Sequence, residues 1–254
     1  MNKISRCSSI CSSLIIGKNN IIGKNVKIFE NVTIGNNNKI YDNTIIYPNT
    51  KIGNNNIFLH RNKIGEIGVQ SSFNTDNFEF KYNGLEIGNN NFFHVDNIIF
   101  NGYDKKTVIG NYNKILSESH IGHDTKIINN VILYPRCITG GHSTLLSNSV
   151  MGFNSTIQQR MVLGNYSMIG AGNNVSKNVF PFFIIINNKY IRTNNKAIPD
   201  DLNINNYKEQ LDYIIDYIKR NNYDCKIKKE INSLPLEISK IIIYFLGKLH
   251  INKI

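Results

Sequence analysis

The chain has 254 residues, with 29 Lys and Arg against 18 Asp and Glu and a formal net charge of +11, a length that holds one large domain or one domain with a small appendage. The positive excess admits nucleic acid, an anionic membrane or an acidic or phosphorylated partner, but no aromatic stacking platform accompanies it, which argues against nucleic acid. No apolar run approaches the roughly 20 residues of a membrane-crossing helix, and Cys7, Cys11, Cys137 and Cys225 form neither a C-x-x-C pair nor a disulfide framework, so a cytoplasmic protein with reduced thiols is expected.

At the start of the chain, Lys3 and Arg6 precede Ile10, Leu14 and Ile15, but Ser and Cys interrupt the apolar residues, a poor signal peptide. From Ile16 a strict period of six takes over: Ile16, Ile22, Ile28, Ile34, Ile40, Ile46, Ile52, Phe58 and Ile64, with Gly17, Gly23, Gly35, Gly53 and Gly65 each following one of them. Neither a helix nor an ordinary amphipathic strand gives six. The pattern is the hexapeptide signature of a parallel β-helix, in which a short strand offers one large side chain inward and a corner follows. Gly, which reaches left-handed backbone freely, and Asn, which tolerates it, are expected to make that corner.

The register is lost from about 66 to 85, where Gln70 to Asn77 has no repeat. It resumes at Ile87, Phe93 and Ile99, slips by four residues across 101–106, and runs from Ile109 through Ile121, Thr139 and Ile157 to Val175. Thr139 is a polar exception among the inward positions. Pro181 ends the tract. Helical spacing of Leu211, Ile214, Ile215 and Ile218, and of Ile238, Ile241, Ile242, Phe245, Leu246 and Leu249, then predicts a small α-helical domain. The expected organisation is a mainly β protein: a β-helix over 1–186 with loop insertions near 66–85 and 101–106, then a connector and helical cap over 187–254 that covers the open end of the coil.

Chemistry concentrates between Leu116 and Gln159. His123 lies beside Asp124, Gly141 comes eighteen residues on, and Gln159 eighteen further, so three hexads per coil would stack them in one column. Neutral imidazole accepts a proton from a sugar hydroxyl or amine, and a neighbouring carboxylate orients it; exposed strand histidines on a polar surface are the alternative. An N–H at Gly141, with no side chain over it, suits an acyl transfer that builds a negative oxygen. His120 and His142 either assist substrate binding or join His123 around zinc with an open fourth position. The latter keeps a trimeric β-helix hydrolase or carbonic anhydrase as a competitor, but the histidine spacing does not match that class, and no metal is expected. Gln158, Gln159 and Arg160 either bind acceptor or carrier or form a solvated face. Lys81-Tyr82 is placed to hold a diphosphate or uracil, with a plain surface lysine as the alternative. Lys219, Arg220, Lys226, Lys228 and Lys229 solvate the C-terminal helices or attract acidic acyl carrier protein.

The long hexad tract, its interrupting loop, Ile64-Gly65-Glu66, Lys81-Tyr82, the run His120-Ile121-Gly122-His123-Asp124, Gly141-His142, Val179-Phe180-Pro181 and the helical C-terminus together resemble the acyl-[acyl-carrier-protein]–UDP-N-acetylglucosamine O-acyltransferase family of lipid A biosynthesis. The resemblance covers nearly the whole chain. It implies a left-handed β-helix, a homotrimer with active sites between subunits, acyl carrier protein and a UDP-sugar as partners, and no cofactor. It further implies His123 as general base, Asp124 as its partner, Gly141 as oxyanion donor, and His120 and His142 as contacts to acceptor or acyl donor, and it places Glu79 where the family has Asp after the loop. The chain departs from the family in having Phe100-Asn101 where a His-Arg pair reaches the nucleotide phosphates, Gln158-Gln159 in place of His-Gln, and no clear counterpart of an Arg pair between Lys196 and Tyr207. The expected function is transfer of an acyl, by resemblance a hydroxyacyl, chain from acyl carrier protein to the sugar hydroxyl of UDP-N-acetylglucosamine. N- or O-acylation of another nucleotide sugar with acyl carrier protein or coenzyme A, and an inactive trimeric β-helix that binds carbohydrate, are the alternatives. Acyl chain length is not legible in the sequence.

Overall fold

The computed structural model of the chain describes residues 1–68, 81–187, 189–193, 198–220 and 225–251. Most strands are two residues long, as in Lys27–Ile28, Lys114–Ile115 and His120–Ile121; the first residue faces out and the second is buried. Burying each inward Ile contributes roughly 1.5–3 kcal/mol. Ile40, Ile46, Ile64, Ile99, Ile115 and Ile121 are all fully enclosed. Through the coil the strands pair in parallel with the strand three elements on until the last turn, so that Ile22 meets Ile40 and Ile121 meets Thr139. The result is three sheets of 11, 9 and 8 strands wound as a left-handed parallel β-helix with C-terminal helices.

The corners differ from the sequence expectation in one respect. Left-handed backbone falls on the third residue after each inward position, at Asn19, Asn25, Asn37, Asn43 and Asn55 and later at Asp124, His142 and Arg160. Apart from Gly65 (φ 84°), the glycines that follow inward residues lie elsewhere and serve a different purpose: a Cβ on Gly17 would stand 2.7 Å from Gly35 O and 2.5 Å from Asn36 Oδ1 in the next coil. Asn supplies the conformation, and Gly supplies the room for close stacking.

Asn side chains also close the hydrogen bonding of the corner between the 8- and 11-stranded sheets. The amide N–H groups of Lys18, Asn36, Asn54, Asn89 and Asn111 donate to the Oδ1 atoms of Asn36, Asn54, Asn89, Asn111 and Asn129 at 2.7–2.8 Å. A second, buried ladder runs through Asn20, Asn38, Asn56, Asn91 and Asn113. Buried amides are thereby satisfied by stacking alone.

The coil resumes after both insertions, with one register shift between Ile64 and Glu66 where the first begins. Leu85–Ile87 pairs with Thr50–Ile52 across the first, and Ile98 and Ile99 pair with His120 and Ile121 across the second. Glu79 and the Gln70–Asn77 stretch lie outside the described residues. Asn101 ties the two insertions together: it is fully buried, donates through Nδ2 to Pro48 O at 3.0 Å, and accepts from Gly84 N at 2.6 Å.

At the C-terminal end, Val179 bridges to Leu163 and joins the coil's core with Ile185. Strand Lys189–Thr193 returns antiparallel to Phe183–Ile186. Helices α1 (Lys208–Arg220), α2 (Cys225–Asn232) and α3 (Leu236–Ile251) follow. Their buried Leu211, Ile214, Ile227, Ile238 and Phe245 form a second core with Leu146, Val162 and Phe180 of the coil. Thus the Val179–Ile186 segment closes the last turn, while the helices pack on outward side chains of its flank. Among the described residues no helix is long and apolar enough to cross a membrane.

Candidate active site

Three consecutive coils bring His123, Gly141 and Gln159 into one column at the corner between the 9- and 8-stranded sheets. His142 N donates to His123 O and Arg160 N to Gly141 O, both at 2.9 Å. His123 Nδ1 stands 2.5 Å from Asp124 Oδ2. Asp124 takes the left-handed corner position (φ 59°), and its N–H donates to Thr107 Oγ1 at 2.9 Å. Its side chain is fully buried. The carboxylate also accepts N–H bonds from Tyr103 at 3.3 Å, Asp104 at 3.0 Å and Lys105. Burial works against its ionisation, but the bonds from His123 and the Lys105 amide, aided by His142, outweigh it and hold the carboxyl below its ordinary range.

With Nδ1 donating to Asp124, the lone pair of the His123 ring resides on Nε2. That edge of the ring lies against Gly141, where a Cβ would stand 2.8 Å from both Nε2 and Cε1; a Cβ on Gly68 would stand 2.7 Å from the His123 Cβ. Two glycines thus make the slot for one imidazole. The N–H of Gly141 finds no acceptor among the described residues, because the residue one coil on is Gln159 rather than a laddering Asn. Thr139, the polar inward exception, is fully buried and accepts from Gly122 N through Oγ1 at 3.2 Å.

The remaining residues singled out in the sequence sit around this centre at differing distances. His142 Nε2 lies 3.6 Å from Asp124 Oδ2 and 3.6 Å from Asp104 Oδ2, with its ring edge-on to His123 at 5.1 Å. Burial lowers its basicity against the opposing pull of Asp124. His120 packs on Phe100, ring centroids 4.7 Å apart, and burial lowers its basicity too. Lys81 is exposed, its Nζ 4.8 Å over the Tyr103 ring, which is 6.0 Å from that of His123. Gln158 and Gln159 are exposed. The three-histidine zinc set is not assembled: donor atoms of His123, Asp124 and His142, not His120, lie within 4.8 Å of one another. Both Asp124 oxygens already accept hydrogen bonds from His123 or the backbone of Tyr103–Lys105.

No protein-family profile matches the chain. The acyl-[acyl-carrier-protein]–UDP-N-acetylglucosamine O-acyltransferase of Nautilia profundicola is 35% identical over 118 residues, 44% of this chain and 46% of that one. The protein of the same name from Burkholderia orbicola is 30% identical over 137 residues, 53% of this chain and 48% of that one. The chain therefore spans about half the length of these curated relatives. The crystal structure of a UDP-N-acetylglucosamine acyltransferase from Bacteroides fragilis superposes with a TM-score of 0.82 at 26% identity, covering 95% of this chain and 96% of that one. The chain is thus similar to UDP-N-acetylglucosamine acyltransferases in sequence over about half its length and in fold over nearly all of it. The sequence reading missed Gly68, Thr107 and the backbone of Tyr103–Lys105. The four-residue slip next to the histidine run, opening on Gly102, was the available signal for the last of these.

Proposed function

We propose that the protein transfers an acyl chain, by family resemblance a hydroxyacyl chain, from acyl carrier protein to the sugar hydroxyl of UDP-N-acetylglucosamine. The observation that carries this reading is the Asp124–His123 pair with Nε2 turned toward Gly141, whose N–H has no acceptor among the described residues. His123 Nε2 takes the hydroxyl proton as that oxygen attacks the thioester carbonyl. The carbonyl oxygen becomes an anion and accepts from Gly141 N–H, a donor of a kind worth about 10²–10³ in rate. Collapse breaks the C–S bond, and the departing thiolate recovers the proton from the imidazolium, which Asp124 has stabilised meanwhile. No step requires a metal or cofactor. His120, His142 and Lys81 contact the acceptor or donor. The acidic carrier is drawn by the +11 charge, in part through Lys226, Lys228 and Lys229 of α2. The working form is a cytoplasmic homotrimer, consistent with the outward-facing, exposed Ile138 and Phe153.

The test is release of the carrier thiol by purified protein supplied with hydroxyacyl-carrier thioester, with and without UDP-N-acetylglucosamine. Acceptor-dependent release is expected; a folded trimer that consumes no thioester would overturn the reading. One observation favours a second acceptor. Phe100 is committed to the His120 ring and Asn101 to Pro48 and Gly84, at the two positions where the resembled family places phosphate-reaching His and Arg. Amino and hydroxy sugar nucleotides crossed with carrier and coenzyme A thioesters distinguish these readings.

A further inference from the structure

We propose that the insertion at Gly102–Lys106 is a positioning element: the successive backbone N–H groups of Tyr103, Asp104 and Lys105 hold the Asp124 carboxylate, and through it fix the orientation and tautomer of His123. The proposal rests on the reading of His123 as general base.

Elsewhere in the regular tract strands pair eighteen residues apart, as His120 with Ile138, but Ile98 pairs with His120, twenty-two residues on. The four extra residues fall at the corner one coil before Gly122-His123-Asp124, directly against the carboxylate. Gly102 makes the turn possible, because a Cβ there would collide with Lys105 O. The loop is tied at both ends: Gly102 N and Thr107 N both donate to Gly84 O at 3.1 Å, Asn83 N donates to Gly102 O at 3.0 Å, and Asn83 Nδ2 donates to Tyr103 O. Lys106 pairs with Glu86 at 2.5 Å. The side chains of Asp104 and Lys105 are exposed, so it is their amides that the fold turns inward. Consecutive N–H groups converging on one anion form a nest. Here the anion is the protein's own carboxylate, 0% exposed and otherwise faced by His123 and His142. Without the nest, only the His123 bond would restrain which oxygen Asp124 presents.

The experiment compares Lys105→Pro, which removes one donor N–H, with Lys105→Ala, which removes the side chain and keeps the N–H. Two readouts are taken on the full chain: the downfield proton resonance of the His123 Nδ1–H bonded to Asp124, which needs no substrate, and kcat and KM for thioester release. Lys105→Ala is expected to match the parent in both. Lys105→Pro is expected to move or broaden the resonance and lower kcat about tenfold with KM within about twofold, at an unchanged circular dichroism spectrum. An unaltered resonance and kcat in Lys105→Pro, or equal loss in both variants, would overturn the proposal. Should Lys105→Pro fail to fold, Asn83→Ala frees Tyr103 O and is expected to displace the resonance in the same direction by less; no displacement counts against the nest. A parent protein with the resonance but no turnover would count against the proposed reaction and leave the resonance comparison to decide the nest.

Discussion

Two corners of the same coil are built from the same backbone and put to different ends. Between the 8- and 11-stranded sheets, from Lys18 to Asn111, the N–H at the second residue after the inward position is taken by an Asn one coil on, as Lys18 N is by Asn36 Oδ1 at 2.8 Å. Between the 9- and 8-stranded sheets, the equivalent positions are His123, Gly141 and Gln159, and the Gly141 N–H has no acceptor among the described residues. Over those coils one corner closes its own hydrogen bonds, while the other leaves the Gly141 N–H open among the described residues. A repeat fold thus acquires a candidate site by leaving out a ladder residue, with no change of backbone.

The comparison can be broken at its strongest point first. His123→Ala removes the imidazole and is expected to abolish thioester release, by at least about a thousandfold, with the circular dichroism of the folded protein retained; turnover near the parent level in purified protein would refute the assignment. Gly141→Ala drives a methyl to 2.8 Å from His123 Nε2, and a loss of about a hundredfold in kcat is expected. Gln159→Asn installs the residue that the regular corner uses. Its Oδ1 is expected to take the Gly141 N–H and lower kcat about tenfold while thermal stability holds or rises, and steady-state kinetics beside a melting curve decides this. The converse substitution, Asn36→Ala, should leave kcat alone and cost about 1 kcal/mol in denaturant unfolding.

The smallest effect concerns pH. His120 and His142 are both held less basic than free imidazole, first of all by burial. Below the ordinary value of about 6.5, the unfolded chain takes up protons that the folded chain refuses. Stability therefore falls as pH drops from there through the lowered folded values. The melting temperature should fall between about pH 7 and pH 5.5, and fall less in His120→Gln; an equal fall in both would show that His120 is not a source of the dependence.

The coil was legible because neither a helix nor an ordinary strand repeats Ile every six residues, and the stacking of His123, Gly141 and Gln159 followed from multiplying that spacing by three. What escaped notice lacks a side-chain signature. The nest uses amides of Tyr103, Asp104 and Lys105, and nothing in those residue types marks their N–H groups as special. Gly68 lies far from His123 in the chain, beyond the reach of any local periodicity. The division of labour between Asn and Gly was blurred for a different reason, since both are turn residues and only the φ values and the close approach of Gly35 to Gly17 separate their tasks. Helical spacing located α1 and α3; their apolar stripes were expected over the open end of the coil, and they share a core with outward Leu146 and Val162 and with Phe180.

Stacking at an interval of eighteen residues also bears on how the chain reaches its native state. Nearly every ladder contact is made between segments one coil apart, so ordering can spread coil by coil from any point without a distant partner being found first. Fraying should follow the same line. Ile4, an inward position of the first coil, is 43% exposed, whereas inward Ile121 beside the histidines is wholly enclosed. Amide exchange is therefore expected to be fastest at the N-terminal rim and to slow toward the middle turns, where His123 keeps coils on both sides whatever the rim is doing.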